Sequence, residues 1–510
     1  MRKPNAVHLM LAVGLAACLA APLAARAQDV AIVGATLIDG NGGPPMPYSI
    51  ILIQDGRISA VGSHGEVMVP PDVTRIDAKG RWVVPGFIDT NVHLSLYGGQ
   101  RDRYETLAKY WPRENDIVLE AAQIDLTYGV TTVRDSYGFL VPLTQVRDAI
   151  AAGKATGARI LAAGNIVGWG GPYSVTFALF PQRDVTRFQA EMDDAMAQGA
   201  GETLADMTPD ELRVAIDAYL DKGPDFLKYG GTSHFDQPTF IGFSPEAQKV
   251  MVDETHKRGR AVDTHSTTIE GLRLSILAGI DVIQHPEAIT PRDVPDDLAK
   301  LIAERKVICS MLVSTMTGEA WEKHLKDKAE AEKKLAEAAK KQEPPKTLYD
   351  ERKRAHDLGI DLDQRRSNAV KLIKAGCVTT VGTDSYWAAA SEFQIEPKPV
   401  WQNQGIGTIM AIEGLVELGM TPMQAISAGT RNGAIACRRL DDLGTVEQGK
   451  IADLVILDGD PLADIHNIRK VHSVIQGGKV VDIAKLPETR VLSTKPTPTP
   501  TPAAGKKPKS

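Results

Sequence analysis

Runs of apolar and β-branched residues punctuate this chain, and the spacers between them divide it into three zones. Near the start, VAIVGATLID and SIILIQDGRISAVG read as short strands, with Asp55-Gly56 suited to a tight hairpin. Near the end, GKIADLVILDGD and VHSVIQGGKVVD repeat that style, with Gly and Asp in the spacers. In the long middle zone, eight runs alternate with stretches of helical periodicity. They are WVVPGFIDTNVH (82–93), VTTVRD (130–135), ARILAAGNIV (158–167), DFLKYGG (225–231), AVDTHS (261–266), VIQHPE (282–287), VICSML (307–312) and VTTVGTDS (378–385). Pro245–Arg258 and Ile269–Ala278 are two of the intervening helical patterns. Eight such units predict an α/β fold, a (β/α)8 TIM-like barrel. The two β-rich ends predict a small β-sandwich-like domain formed from both termini. An open doubly wound sheet is the structural alternative, but no glycine-rich nucleotide fingerprint follows any strand.

The expected boundaries are a signal peptide at 1–27, the N-terminal part of the β-domain at 28–82, the barrel at 83–435, the C-terminal part of the β-domain at 436–488, and a disordered Pro/Thr/Lys tail at 489–510. The signal reading rests on Arg2 and Lys3, the apolar stretch from Leu9 to Leu23, and the A-x-A pattern of Ala25-Arg26-Ala27. It predicts an exported protein, periplasmic or secreted. The alternative is a lipoprotein anchored through Cys18 of LAAC. No later segment is apolar for long enough to span a bilayer, so no stable membrane insertion is expected. Residues 319–342 are rich in Ala, Glu and Lys and predict an exposed helix, broken by Pro344-Pro345.

Composition changes the picture only by exclusion. The 510 residues are 43% hydrophobic and 24% charged, with a formal net charge of −6. That lacks the basic footprint of a nucleic-acid partner. Beyond Cys18, three cysteines remain, Cys309, Cys377 and Cys437, widely spaced in apolar surroundings. They are expected to be small buried hydrophobes rather than a disulfide framework, with a catalytic thiol as the sharper alternative.

Candidate chemistry lies where polar residues end the predicted strands, because barrel active sites sit at the C-terminal strand ends. Asn91 and His93 end the first run, Lys228 the fourth, His265 the fifth, His285 the sixth and Asp384 the eighth. Burying such groups unpaired is costly, and a shared divalent metal makes it sensible. Asn91 and His93 stand two apart on a strand and so face the same side. An ammonium is no metal ligand. Lys228 contributes only if deprotonated or converted by carbon dioxide to a carbamate, whose two oxygens can bridge ions.

The motifs VVPGFIDTNVH, GVTTVRD, FLKYGG, VDTHS, IQHPE, VGTDS and GTVEQGKIADLVILDGDPL occur in an order that resembles the metal-dependent amidohydrolase superfamily, in particular its imidazolonepropionase-like and dipeptidase-like branch. The resemblance runs from about residue 30 to 485. It implies one or two divalent ions, zinc first. His93, carbamylated Lys228 and Asp384 would hold one ion, and Lys228, His265 and His285 the other. It implies hydrolysis of an amide-like C–N bond in a dipeptide, N-acyl amino acid or cyclic amide. A metal-bound hydroxide would attack, and Asp384 would act as general base and then acid.

Two departures qualify this. The superfamily's usual strand-1 motif is His-x-His, and here it is Asn91-Val92-His93. An amide oxygen is a poorer zinc ligand than imidazole. Asn91 therefore either binds a first ion weakly, leaves that site empty, or marks a non-catalytic ligand-binding relative. A lactone or ester hydrolase is a further alternative, since the same nucleophile attacks a C–O acyl bond. Relatives also carry a Thr-Gly-Gly-His type loop after strand 3, where this chain has GWGGPYS with Pro172 at the His position.

Tyr137, Trp169 and His234 are the candidate substrate contacts, with Tyr173 a further loop residue that contacts substrate or packs. His64, His256, His324, His356, His466 and His472 are expected to be surface or structural. Tyr229 is expected to pack away from the site, and Arg134-Asp135 to form a structural pair at the barrel rim. The expected partner is a small-molecule substrate, with homo-oligomerisation left open.

Overall fold

The computed structural model describes residues 29–95, 108–172, 174–178, 182–234, 240–288, 292–339, 359–387 and 399–493. The expected signal peptide, Pro344-Pro345, Tyr173, His356 and the tail beyond 493 lie outside the described residues.

The N-terminal runs form β1 (Val30–Leu37), β2 (Met46–Gln54), β3 (Arg57–Ser63), β4 (Thr74–Asp77) and β5 (Trp82–Pro85). Asp55 and Gly56 both take positive φ between β2 and β3, the backbone a two-residue hairpin turn requires. The eight barrel strands follow. They are β6 (Phe87–Val92), β7 (Val130–Asp135), β8 with β9 (Arg159–Ala162 and Ile166–Val167), β10 (Phe226–Gly230), β11 (Ala261–His265), β12 (Val282–Gln284), β13 (Ile308–Met311) and β14 (Val378–Val381). The chain then returns to the first sheet as β15 (Leu454–Leu457), β16 (Val471–Gln476) and β17 (Lys479–Val481).

The sheet built from both termini has the order β17-β16-β15-β5-β1-β2-β3, with β4 on β1. The predicted first barrel run therefore divides. Val83 and Val84 pair with Ile456 and Val455 in the terminal sheet, and the barrel strand starts only at Phe87. Gly86 marks the crossing, and a Cβ there would meet Thr131 at 2.1 Å. The third run divides too. Its first part pairs with β7 and its second with β10. Strands β9 to β14 run parallel and in order, as do β6 to β8. The cylinder closes between β14 and β6 through His93 N to Ser385 O at 2.8 Å and Asp384 N to Asn91 O at 2.8 Å.

Pleating sorts the barrel side chains. Tyr229 faces outward and donates to Gln248 on the helix Pro245–Lys257, while its neighbour Lys228 faces inward. Arg134 also points inward. It makes two hydrogen bonds to Asp263 across the barrel, at 3.0 and 2.8 Å, with both side chains fully buried. The expected Arg134–Asp135 pair does not form. Consecutive strand residues face opposite sides, and Asp135 accepts from Leu94 N instead.

Two further expectations are corrected. Cys309 on β13 and Cys377 just before β14 form a disulfide, leaving only Cys437 as a buried thiol among the described cysteines. Adjacent parallel strands bring together residues that are 68 apart in sequence. Residues 491–493, expected in the tail, are held against the barrel. The Glu120 carboxylate accepts from the backbone amides of Val491, Leu492 and Ser493, and Leu492 is buried. Among the described residues no helix is long and apolar enough to cross a membrane.

Candidate active site

Asn91, His93, Lys228, His265, His285 and Asp384 come from five different strand ends and meet at one end of the barrel. The Asp384 carboxylate is the hub. Its Oδ1 lies 2.9 Å from His93 Nε2, 3.1 Å from Asn91 Nδ2 and 3.7 Å from His285 Nε2. His93 is oriented by its other nitrogen, Nδ1, 2.9 Å from the Tyr137 carbonyl. Such a second contact orients the ring and aims Nε2 inward. The His265 and His285 rings stand edge to face, 5.6 Å between centroids. Lys228 Nζ donates to Ser136 Oγ at 3.1 Å.

His285 and Asp384 both adopt left-handed backbone conformations, with φ of 59° and 55°. Non-glycine residues pay for that geometry, and it gathers where chemistry needs a side chain aimed off the regular strand direction. The aim of Asp384 is held from behind. Asp89 accepts from Thr383 Oγ1 at 2.8 Å and from Thr408 at 2.7 Å, and Gln404 ties the His93 carbonyl to Ser385.

Burial dominates the electrostatics. It drives the His265 imidazole well below its ordinary range, and the neighbouring His285 adds to that. It takes His285 down to about 3, against the pull of Asp384. It lowers the Lys228 amine to about 8, even with Asp384, Asp263 and Asp135 nearby. For Asp384, burial opposes ionisation, but the His93 hydrogen bond and the positive field of the surrounding groups, Lys228 among them, outweigh it and hold the carboxyl well below the usual range. The cluster thus presents two neutral imidazoles, His265 and His285, a readily deprotonated amine and an ionised carboxylate.

Among the described residues no three His, Cys, Asp or Glu side chains form a ready-closed ligand set. The donor chemistry nonetheless fits a divalent cation. His265 Nε2 is buried without a hydrogen-bond partner, and neutral imidazole with carboxylate is a ligand set for zinc-like ions. Asn91 behaves differently. Its Oδ1 accepts a short hydrogen bond from Ser136, while its NH2 group faces Asp384 and His285. The amide thus turns its donor end, not its ligating oxygen, toward the other groups.

Ser136 is the residue that sequence reasoning missed. It bridges Asn91 and Lys228, and its only signal was its place directly after β7. The candidate substrate contacts are also present. Tyr137 stands edge-on to His93 at 6.2 Å, Trp169 lies 4.9 Å from His265, and exposed His234 lies 6.0 Å from His265. Tyr137 itself is buried, with its hydroxyl donating to Gly170 O. Trp169 is pinned by Nε1 donating to Thr232 O at 3.3 Å, and a Cβ at Gly230 would lie 2.0 Å from that nitrogen. Of the other histidines, His256 pairs with Asp281, His324 with Asp363, His466 with Asp464 and His472 with Asp458, all away from the cluster.

Comparison with known proteins agrees with this architecture. The solved structure of molinate hydrolase superposes with a TM-score of 0.80 at 32% identity, covering 92% of this chain and 98% of that one. That of phenylurea hydrolase B gives 0.80 at 31%, covering 92% and 100%. The ochratoxinase of Aspergillus niger is 26% identical over 90% of this chain and 88% of its own length. The Amidohydrolase family model matches residues 82–481, from the strand that enters the barrel to the last strand of the terminal sheet. A barrel whose strand ends gather histidines, a lysine and an aspartate, matched along that length, places this protein in the amidohydrolase family, hydrolases that act on C–N bonds.

Proposed function

We propose that the protein is an exported, metal-dependent hydrolase that cleaves an amide-like C–N bond in a small molecule. The observation that carries this reading is the convergence of His93, Lys228, His265, His285 and Asp384 from five strand ends around one carboxylate hub. His265, His285 and Lys228 would hold one ion, with Lys228 as a carbamate, and His93 with Asp384 complete the surrounding donors. The neutral form of an amine lowered by burial is the form that takes up carbon dioxide. When bound, a divalent ion polarises the scissile carbonyl and lowers the pKa of water toward neutrality.

The chain's own residues then handle the proton. Asp384 Oδ1 accepts it from the attacking water and returns it to the leaving nitrogen. Asn91 Nδ2 and His93 Nε2 hold that oxygen in place on either side. The depth of the cluster inside the barrel excludes bulk water and strengthens each of these interactions. Relatives named for molinate, phenylurea and ochratoxin hydrolysis support small-molecule C–N substrates rather than large polymers. The disulfide between Cys309 and Cys377 supports an oxidising compartment, in keeping with an N-terminal export signal.

The test pairs metal content with turnover on N-acyl amino acids, dipeptides, lactams and aryl amides. Stoichiometric divalent metal is expected, with turnover that falls by about 10²–10⁴-fold in Asp384→Asn. Turnover of lactones or esters alone would shift the assignment to C–O bonds. Metal-free protein with an unimpaired Asp384→Asn variant would end the proposal.

A further inference from the structure

The cluster is not symmetric. On its β12–β13 side lie charged groups, Glu287 and Arg365, 3.8 Å apart. On its β7–β10 side the rings are contiguous. Tyr137 sits edge-on to His93 and lies 5.1 Å from Phe177. Phe177 lies 6.2 Å from Trp169 and is stacked on His234 at 4.9 Å with only 21° between planes. Trp169 lies 5.3 Å from His234 and 4.9 Å from His265. The arc thus begins against one histidine of the cluster and ends against another.

Three members of the arc are buried, and His234 is its exposed member. His234 is also mounted on an apolar arm. Ser233 N donates to Phe240 O at 2.9 Å and Thr232 bridges Ile241, so the chain folds back beside it. Phe240 and Ile241 are large and exposed, as is Val175 on the short helix Val175–Ala178 that delivers Phe177. Exposed apolar groups gathered on two segments that flank one site mark a surface that something apolar covers.

We infer that His234, backed by Phe177 and Trp169, is the specificity-determining face of this site, and that it receives a planar aromatic group attached to the scissile amide. This rests on the function proposed above and names its substrate class. A planar ring on the substrate would continue the existing stack. A saturated ring of the same size would fill the same volume without the face-to-face contact. Among the described residues the β12–β13 side presents Glu287 and Arg365 in place of a ring stack, so the aryl group goes to the β7–β10 side.

The test uses two matched pairs of probes with full-length protein. Turnover is measured on acetanilide and N-cyclohexylacetamide, and affinity by calorimetry on benzylphosphonate and cyclohexylmethylphosphonate, which need no catalysis. Wild-type protein is expected to prefer the aryl member of each pair by about tenfold, the scale of one good aromatic contact. His234→Ala should lose most of that preference, and His234→Phe should keep it because the ring remains. Equal losses on both members of a pair, or a wild type with no aryl preference, would overturn the inference. Aryl-selective binding that depends on residue 234, without turnover of either amide, would support this inference while counting against the proposed reaction.

Discussion

On the function proposed above, Asn91 limits the number of cations the centre holds. A histidine would offer a neutral nitrogen lone pair to the cluster. The asparagine instead spends its oxygen on Ser136 and turns its NH2 group toward Asp384. That arrangement stabilises the ionised hub without adding a ligand. Asn91→His is therefore expected to add one divalent ion per chain, read by elemental analysis of metal-loaded protein. An unchanged content would show that the asparagine is no obstacle. Ser136 has the opposite role, since its hydroxyl serves Lys228 and Asn91 together. Ser136→Ala should leave the fold intact but weaken metal retention against a chelator by about 10–100-fold, the usual effect of losing a group that orients ligands. Six polar residues of the cluster were legible in the sequence because a Lys, His or Asp ending an apolar run is costly without a purpose. Ser136 was not, because a serine after a strand is also an ordinary turn former.

At the scale of elements, alternation explains both successes and errors. It correctly sent Tyr229 outward to its helix and Lys228 inward. Applied to Arg134 and Asp135 it forbids the local pair, and the partner of Arg134 is Asp263, four strands on in the chain. No local pattern encodes that contact; only barrel closure supplies it. The same holds for Cys309 and Cys377, whose separation hides their place on neighbouring strands. The Arg134–Asp263 pair is fully buried, so removing one partner leaves a charge without compensation. Asp263→Ala should cost about 3–5 kcal/mol in urea unfolding. Replacing both residues together with apolar ones of similar volume should cost much less, and equal costs would show that the guanidinium finds another partner, with Phe226, already 3.9 Å beneath it, the first candidate.

The whole molecule is closed by its own ends. The terminal sheet joins β5, leading into the barrel, to β15, returning from it, and Glu120 pins residues 491–493 against a barrel helix. The strand-like runs at both ends foretold the two-ended sheet, but the last residues were read by their Pro/Thr-rich continuation and not by the one carboxylate that caps residues 491–493. Because the barrel and its helices share a large apolar core, a buried ionisable group anywhere in it reports on global unfolding. Tyr219 and Tyr229 are two such groups. Tyr219 donates to Ala163 O and accepts from Asn165 N, while Tyr229 donates to Gln248, and burial raises the pKa of both phenols. The unfolded chain releases these protons near pH 10, where the folded protein still holds them. The native state then binds more protons than the unfolded one, so stability is intact below about pH 10 and falls as pH rises above it. Two tyrosines contribute a slope of up to about 2.7 kcal/mol per pH unit. In urea unfolding between about pH 9 and 11.5, Tyr229→Phe should show roughly half of that tyrosine-linked slope. A variant with the full wild-type slope would mean that Tyr229 titrates alike in both states and that its burial is relieved before the protein unfolds.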